Sequence, residues 1–303
     1  MIVRDRPSPL RLFLIMRGSV LPNIWKSLLG TTLLAVLVTW SHGAIWGHKF
    51  TIGTIPFTLI GLPLAIFLGF RNNAAYDRYW EGRKQWGELV LRSRNLARQC
   101  LTLVDESPLR IRMIRRGIAV AHALRHRLRG SDPARDVMPW VEPDEWERLH
   151  QLPNLPYALM LAMGEDLSVL RHEGRIDPCI VPAIDGNLSA ITGVAASCER
   201  IRSTPTPFSY TLLLHRTAYL YCWLLPFGLV DAIGDLTPAV TLLVAYTFFG
   251  LDALGDEIEE PFGTSDHDLP LEAMCRTIEI DLRMALGDTD LPPPLLPVDY
   301  RLN

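Results

Sequence analysis

The 303-residue sequence has no excess of charge of either sign: 30 Lys+Arg stand against 33 Asp+Glu, a formal charge of −3. That removes the basic footprint by which a nucleic-acid partner would be recognised. Cysteine is scarce, with five scattered residues, Cys100, Cys179, Cys198, Cys222 and Cys275. An odd number without a CxxC pair or a Cys/His zinc spacing indicates neither a disulfide framework nor a structural metal. Catalytic signatures are missing too, with no GxSxG, HExxH, P-loop or paired Glu-x-x-His helices. His215, Arg216, Asp252, Asp256, Glu257, Glu260 and His267 leave a membrane metal enzyme as a remote reading, because nothing fixes a nucleophile beside a base. No cofactor is expected. An export signal is likewise not recognisable, since residues 1–26 scatter apolar side chains among Arg4, Arg6, Arg11, Arg17 and Lys26, and the amino terminus is expected to be retained.

What the chain does have is apolar length. Hydrophobic residues make up 49% and charged ones 21%, too apolar a balance for two soluble domains. No Asp, Glu, Lys or Arg occurs from Ser27 to Gly47, nor from Phe50 to Phe70. Each stretch is long enough for a hydrocarbon layer of ~30 Å. With only His48 and Lys49 between them, 27–47 and 50–70 read as a transmembrane hairpin. Its outer ends carry the five basic residues before it and Arg71, Arg78, Arg83, Lys84, Arg92, Arg94 and Arg98 after it. By the positive-inside bias those ends face the cytoplasm.

A second apolar block, 208–251, is broken by Asp231 and Asp235 around Gly234. Its halves are short for spans and read either as tilted membrane helices or as a buried helical pair. Spanning is the reading adopted here, with the uncharged-to-acidic connection outside. The expectation is therefore an all-α, multi-pass protein of the cell (inner or plasma) membrane with four transmembrane helices and both termini cytoplasmic. Residues 71–203 form its helical cytoplasmic region, and 252–303 a cytoplasmic C-terminal segment ending in the extended run Leu291–Pro297. Within 71–203, Ile111, Ile114, Ile118 and Ala121 mark one face of a helix over Arg110–Arg129 whose other face is basic. Asp177 and Pro178 predict the start of another helix, which runs to about Ile201, before the Thr204–Pro207 break.

Two stripes run along the second apolar stretch at four-residue spacing, Gly61/Ala65/Gly69 and Leu62/Ile66/Phe70. At 100° per residue they are neighbours, so close packing through the small stripe would turn the large one toward a common side, the axis in a ring of identical helices. An ordinary helix contact, with the large residues facing lipid or core, fits the spacing as well.

Directly after Leu68-Gly69-Phe70 comes the polar and aromatic cluster Arg78-Tyr79-Trp80-Glu81. Pro205-Thr206-Pro207-Phe208 leads into the second block. Asp256-Glu-Ile-Glu-Glu-Pro-Phe-Gly263 and Asp268-Leu-Pro-Leu271 follow it. In this order the motifs resemble those of the bestrophin family of pentameric ion channels, over nearly the whole chain, and the short chain is similar to the bacterial type. The resemblance implies a ring-shaped homopentamer with one axial pore and no partner beyond its own copies, the bilayer and permeating ions. It implies that Leu62, Ile66 and Phe70 form the hydrophobic pore neck and that Ile180 supplies a cytosolic constriction, with Cys179 beside it. Apolar rings of this kind gate by dewetting and carry no fixed charge.

Animal members of that family hold Ca²⁺ in an acidic clasp after Pro-Phe-Gly. Here Thr264, Ser265 and His267 interrupt the acidic row and leave Asp266 and Asp268 as degenerate clasp positions, so calcium gating is not expected. Between residues 252 and 290 twelve acidic residues face only Arg276 and Arg283. That excess favours conduction of small monovalent cations. A chloride-selective channel of the same architecture is the alternative, and a nonconducting scaffold would share every packing feature.

Overall fold

The computed structural model describes residues 1–4, 8–12, 15–45, 48–49 and 53–303. Arg6 and the facing ends of the expected hairpin, Gly47 and Phe50, lie outside the described residues. Eleven α-helices are described: α1 (Pro9–Leu12), α2 (Leu21–Trp40), α3 (Thr54–Leu103), α4 (Pro108–Arg129), α5 (Ala134–Val137), α6 (Pro143–Leu149), α7 (Leu155–His172), α8 (Val181–Ser203), α9 (Phe208–Ile233), α10 (Thr237–Glu259) and α11 (Leu271–Ala285). A two-residue antiparallel ladder, β1 (Ala44–Ile45) with β2 (His48–Lys49), precedes α3. Helices long and apolar enough to cross a membrane lie at Leu21–Trp40, in Thr54–Leu103 and in Phe208–Glu259.

Two compact units share the chain, and α3 contributes to both. One contains α2, α3 through Tyr79, α9 and α10. Helix α2 starts at Leu21 rather than Ser27: Pro22 stands in its first turn, and Lys26 is exposed on the first turns, where a long cation costs nothing. It ends at Trp40 in a turn whose Gly43, at φ 75°, returns its N–H to the Val38 carbonyl at 2.9 Å. Helix α9 turns back into α10 through a short 3₁₀ segment, Gly234–Leu236. In the pairs Tyr219–Phe249 (4.4 Å) and Tyr221–Phe248 (5.2 Å) the residue number falls on α10 as it rises on α9, the register of an antiparallel helical hairpin about that turn. Cys222, Ala245 and Phe249 of the hairpin bury Ile24 and Leu28 of α2. One and two turns before Cys222, α9 places Ala218 and Leu214 against Leu64 and Leu68 of α3.

The second unit is built around α4. Ser107 caps the helix by accepting from the Leu109 N–H, and Gly130, at φ 66°, ends it. From Met113 to Arg125 almost every side chain of α4 is buried, against α7 and α11 among others. The basic face expected from the sequence is thus not a solvated one. Arg116 reaches Glu145 at 2.7 Å and Asp166 at 2.5 Å, and Arg125 pairs with Asp136. Helix α8 begins at Val181, three residues after Pro178, because Pro182 supplies the helix-compatible proline, whereas Asp177 turns the chain by accepting from the Cys179 N–H at 2.8 Å.

Candidate functional site

Helix α3 is continuous for 50 residues, from the apolar stretch into the polar run. Pro63 lies inside it and lacks the N–H that would pair with the Leu59 carbonyl. Taking Ile66 as the angular origin, Leu62 and Phe70 lie about 40° to either side, while Phe57, Leu64, Leu68 and Ala75 lie about 160–180° away. Those four are buried against the chain's own helices. Leu62, Ile66 and Phe70 are 66%, 47% and 59% exposed. The chain therefore spends one face of α3 on its own core and leaves the opposite face, which carries three large apolar groups, without a cover of its own.

The small stripe is divided. A Cβ on Gly61 would come 2.8 Å from the Tyr221 hydroxyl, so this glycine admits α9 of the same chain. Ala65 is exposed, and nothing lies within 4 Å of a Cβ built on Gly69. Only the latter two remain open to a neighbour.

One residue after Phe70 the geometry changes from apolar to ionic. Arg71 is 1% exposed, donates to the Asp252 carboxylate at 2.7 Å, pairs with Asp256 and lies 3.8 Å from Glu259. Asp252 also accepts from His215 Nδ1 at 2.7 Å, and Asn72 donates to the Leu251 carbonyl at 3.0 Å. Helix α10 can close over these groups because it has glycine at 255, where a Cβ would meet Asn72 Oδ1 at 2.6 Å. From the sequence, Asp256, Glu257, Glu259 and Glu260 read as a solvated helix face, a charged vestibule or a salt-bridge partner of the basic run 71–98 within or between subunits; what the sequence does not give is that Arg71 of the same chain is the partner of Asp256 and Glu259. The signal was the i, i+4, i+7 spacing of Asp252, Asp256 and Glu259, which puts three carboxylates on one side of α10.

Ile180 is half-buried immediately before α8, its N–H bonded to the Asp177 carbonyl at 2.9 Å, with Cys179 exposed beside it. Asp266 lies 3.5 Å from Arg301, and the buried Asp268 accepts from the Ser265 N–H in its own turn. Arg129 donates to the Phe262 carbonyl at 3.2 Å and to Glu272 at 2.9 Å, and Arg301 also reaches the Thr264 carbonyl. The loop at 261–268 is thus tied by guanidinium groups. Among the described residues no group of three or more His, Cys, Asp or Glu side chains is arranged to hold a metal ion.

Comparison with known proteins identifies the family. Residues 1–284 match the family model of the bacterial/fungal bestrophin protein. A voltage-dependent anion channel-forming protein of Mesorhizobium japonicum is 43% identical over 303 residues, covering 99% of this chain and 96% of its own. One of the same description from Escherichia coli is 41% identical over 302 residues, with 98% of both chains covered. The crystal structure of a bacterial bestrophin homolog from Klebsiella pneumoniae superposes with a TM-score of 0.85 at 35% identity, over 88% of this chain and 99% of that one. The shared helices, the uncovered apolar stripe and the match along nearly the whole length lead to one assignment: the chain belongs to the bestrophin family, as an ion-channel membrane protein of the bacterial type and not an enzyme.

Proposed function

We propose that five copies form a ring around one axial pore in the cell membrane, both termini cytoplasmic, and that the pore conducts small monovalent ions passively. In this reading α2, the apolar part of α3, α9 and α10 are the four spans. The observation that carries it is the exposed stripe Leu62/Ile66/Phe70, set opposite the face that α3 buries in its own chain. Five such stripes facing an axis make a narrow apolar neck, which an ion passes only when it is wetted. Ile180 forms the second constriction at the cytosolic exit, and Ala65 and Gly69 face the neighbouring subunit.

Anion conduction is better supported than cation conduction. The relatives cited above are named for anion channels. The acidic excess at 252–290 also loses weight as a cation-attracting surface. Arg71 takes up Asp252, Asp256 and Glu259, and Arg129 takes up Glu272. Asp281 is held by Arg94, Glu279 by Arg276, Asp288 by Arg283 and Asp266 by Arg301.

The test is reconstitution of the purified protein in planar bilayers under a KCl gradient. Native protein should give channel currents reversing toward the chloride potential. Replacing Leu62, Ile66 and Phe70 together by Ala should raise conductance or open probability, with a much smaller change in ion preference. Unchanged conductance in the triple variant would remove these residues from the pore, and a potassium-directed reversal in the native protein would overturn the sign.

A further inference from the structure

We infer that Asp77 is a charge-selecting residue of the pore, one carboxylate of a ring on the cytosolic side of the neck that draws cations and holds back anions. The inference rests on the proposal that Leu62, Ile66 and Phe70 line that pore. With Ile66 again as origin, Asn73 lies about 20° to one side and Asp77 about 20° to the other, so the line 62–66–70–73–77 continues a single helical face. Both polar residues are exposed, and α3 is unbroken between them and the neck. Eleven residues beyond Ile66, Asp77 sits about 16 Å further along the helix axis, past the last apolar group of the stripe.

Its charge is not spent within the chain. The residues three and four positions away are Asn73, Ala74, Trp80 and Glu81, none of them basic. The neighbouring charges on α3 are engaged elsewhere: Arg71 with α10, Arg78 on the Glu259 carbonyl at 3.2 Å, and Glu81 with Arg200. Whereas most acidic residues of 252–290 are neutralised by arginine, Asp77 makes no hydrogen bond or ion pair with the described residues. A full charge repeated around an axis, next to a constriction of low dielectric constant, acts on every ion that passes. For an anion-conducting channel it is the element that limits selectivity. Its removal shifts permeation toward anions whatever the starting preference.

Reversal potentials of native protein, Asp77→Asn, Asp77→Glu and Asn73→Asp in asymmetric KCl test this. The potassium-to-chloride permeability ratio should fall roughly threefold or more in Asp77→Asn at 0.1 M salt and far less at 1 M, where the screening length drops from ~10 to ~3 Å. Asp77→Glu should keep the native ratio. Asn73→Asp, which adds a ring one turn nearer the neck, should raise it, and it decides the matter if Asp77→Asn does not assemble. An unchanged ratio in both charge variants, while the triple-alanine neck variant alters conductance, overturns the role of Asp77 and leaves the pore reading standing. If the neck variant is silent as well, the pore reading itself fails.

Discussion

Arg71 is almost wholly withdrawn from solvent and sits at the level where the apolar part of α3 ends. A guanidinium there is tolerable only because Asp252, Asp256 and Glu259 surround it. Arg71→Ala leaves Asp252 buried beside His215 alone and should cost about 3–5 kcal/mol. Arg71→Met combined with Asp252→Leu should recover part of the loss, as thermal unfolding of the detergent-solubilised protein would record. A second residue-scale effect comes from His122 in α4, whose pKa burial and the nearby Arg125 push down to about 4. The unfolded chain binds this proton below about pH 6.5 while the folded one refuses it down to about 4. Stability therefore declines as pH falls from 6.5 to 4, by up to about 3 kcal/mol, and is unaffected by this group above that window. Comparing unfolding midpoints at pH 7 and pH 5 for native protein and His122→Leu should show a smaller pH loss in the variant. Neither effect is legible in the sequence, where Arg71 is one of several positive-inside charges and His122 a histidine in a basic helix. Both depend on which distant carboxylate or wall meets the group.

At the scale of elements, the apolar runs, the proline-marked starts and the Gly234 break were legible because they rest on local physics. The boundaries that shifted did so where a proline or charge has two readings. Lys26 bounds the charge-free stretch that opens at Ser27 yet lies within α2, and Asp177-Pro178 reads as a helix start that Pro182 provides. The small stripe was legible as a packing device but not as two devices, because spacing does not say which helix approaches. That difference is testable. Gly61→Ala meets the Tyr221 hydroxyl and should lower the unfolding temperature of the subunit itself, at a cost of ~1–3 kcal/mol. Gly69→Leu should leave the subunit intact and weaken its assembly, which native mass measurement in detergent would show as loss or heterogeneity of the oligomer. An equally stable oligomer in the second case would remove Gly69 from the contact between copies.

For the whole molecule, the ordered motifs pointed to the family, and the pairing of charges did not follow from them. An acidic C-terminal region reads as a field for cations until most of its carboxylates are found against arginines. The loop at 261–268 shows the same replacement on a small scale, since Arg301 stands beside Asp266 and the Thr264 carbonyl. Currents should persist in chelator without added Ca²⁺. Arg301→Ala should speed amide hydrogen exchange across residues 264–268, and currents that vanish in chelator would show that this loop still answers to the ion.

If Leu62, Ile66 and Phe70 line the pore as proposed, the ionic cluster on α10 also bears on how that neck can open. Arg71 leaves α3 about 140° around from Ile66 and only five residues later, so both directions are set by one short, stiff piece of helix. With the guanidinium gripped by α10, a twist of α3 that swung Ile66 off the axis would wrench Arg71 out of its carboxylates. The grip is a torsional stop. Widening the aperture must then proceed as a radial sway in which α10 travels with α3, or as the filling of a fixed bore with water.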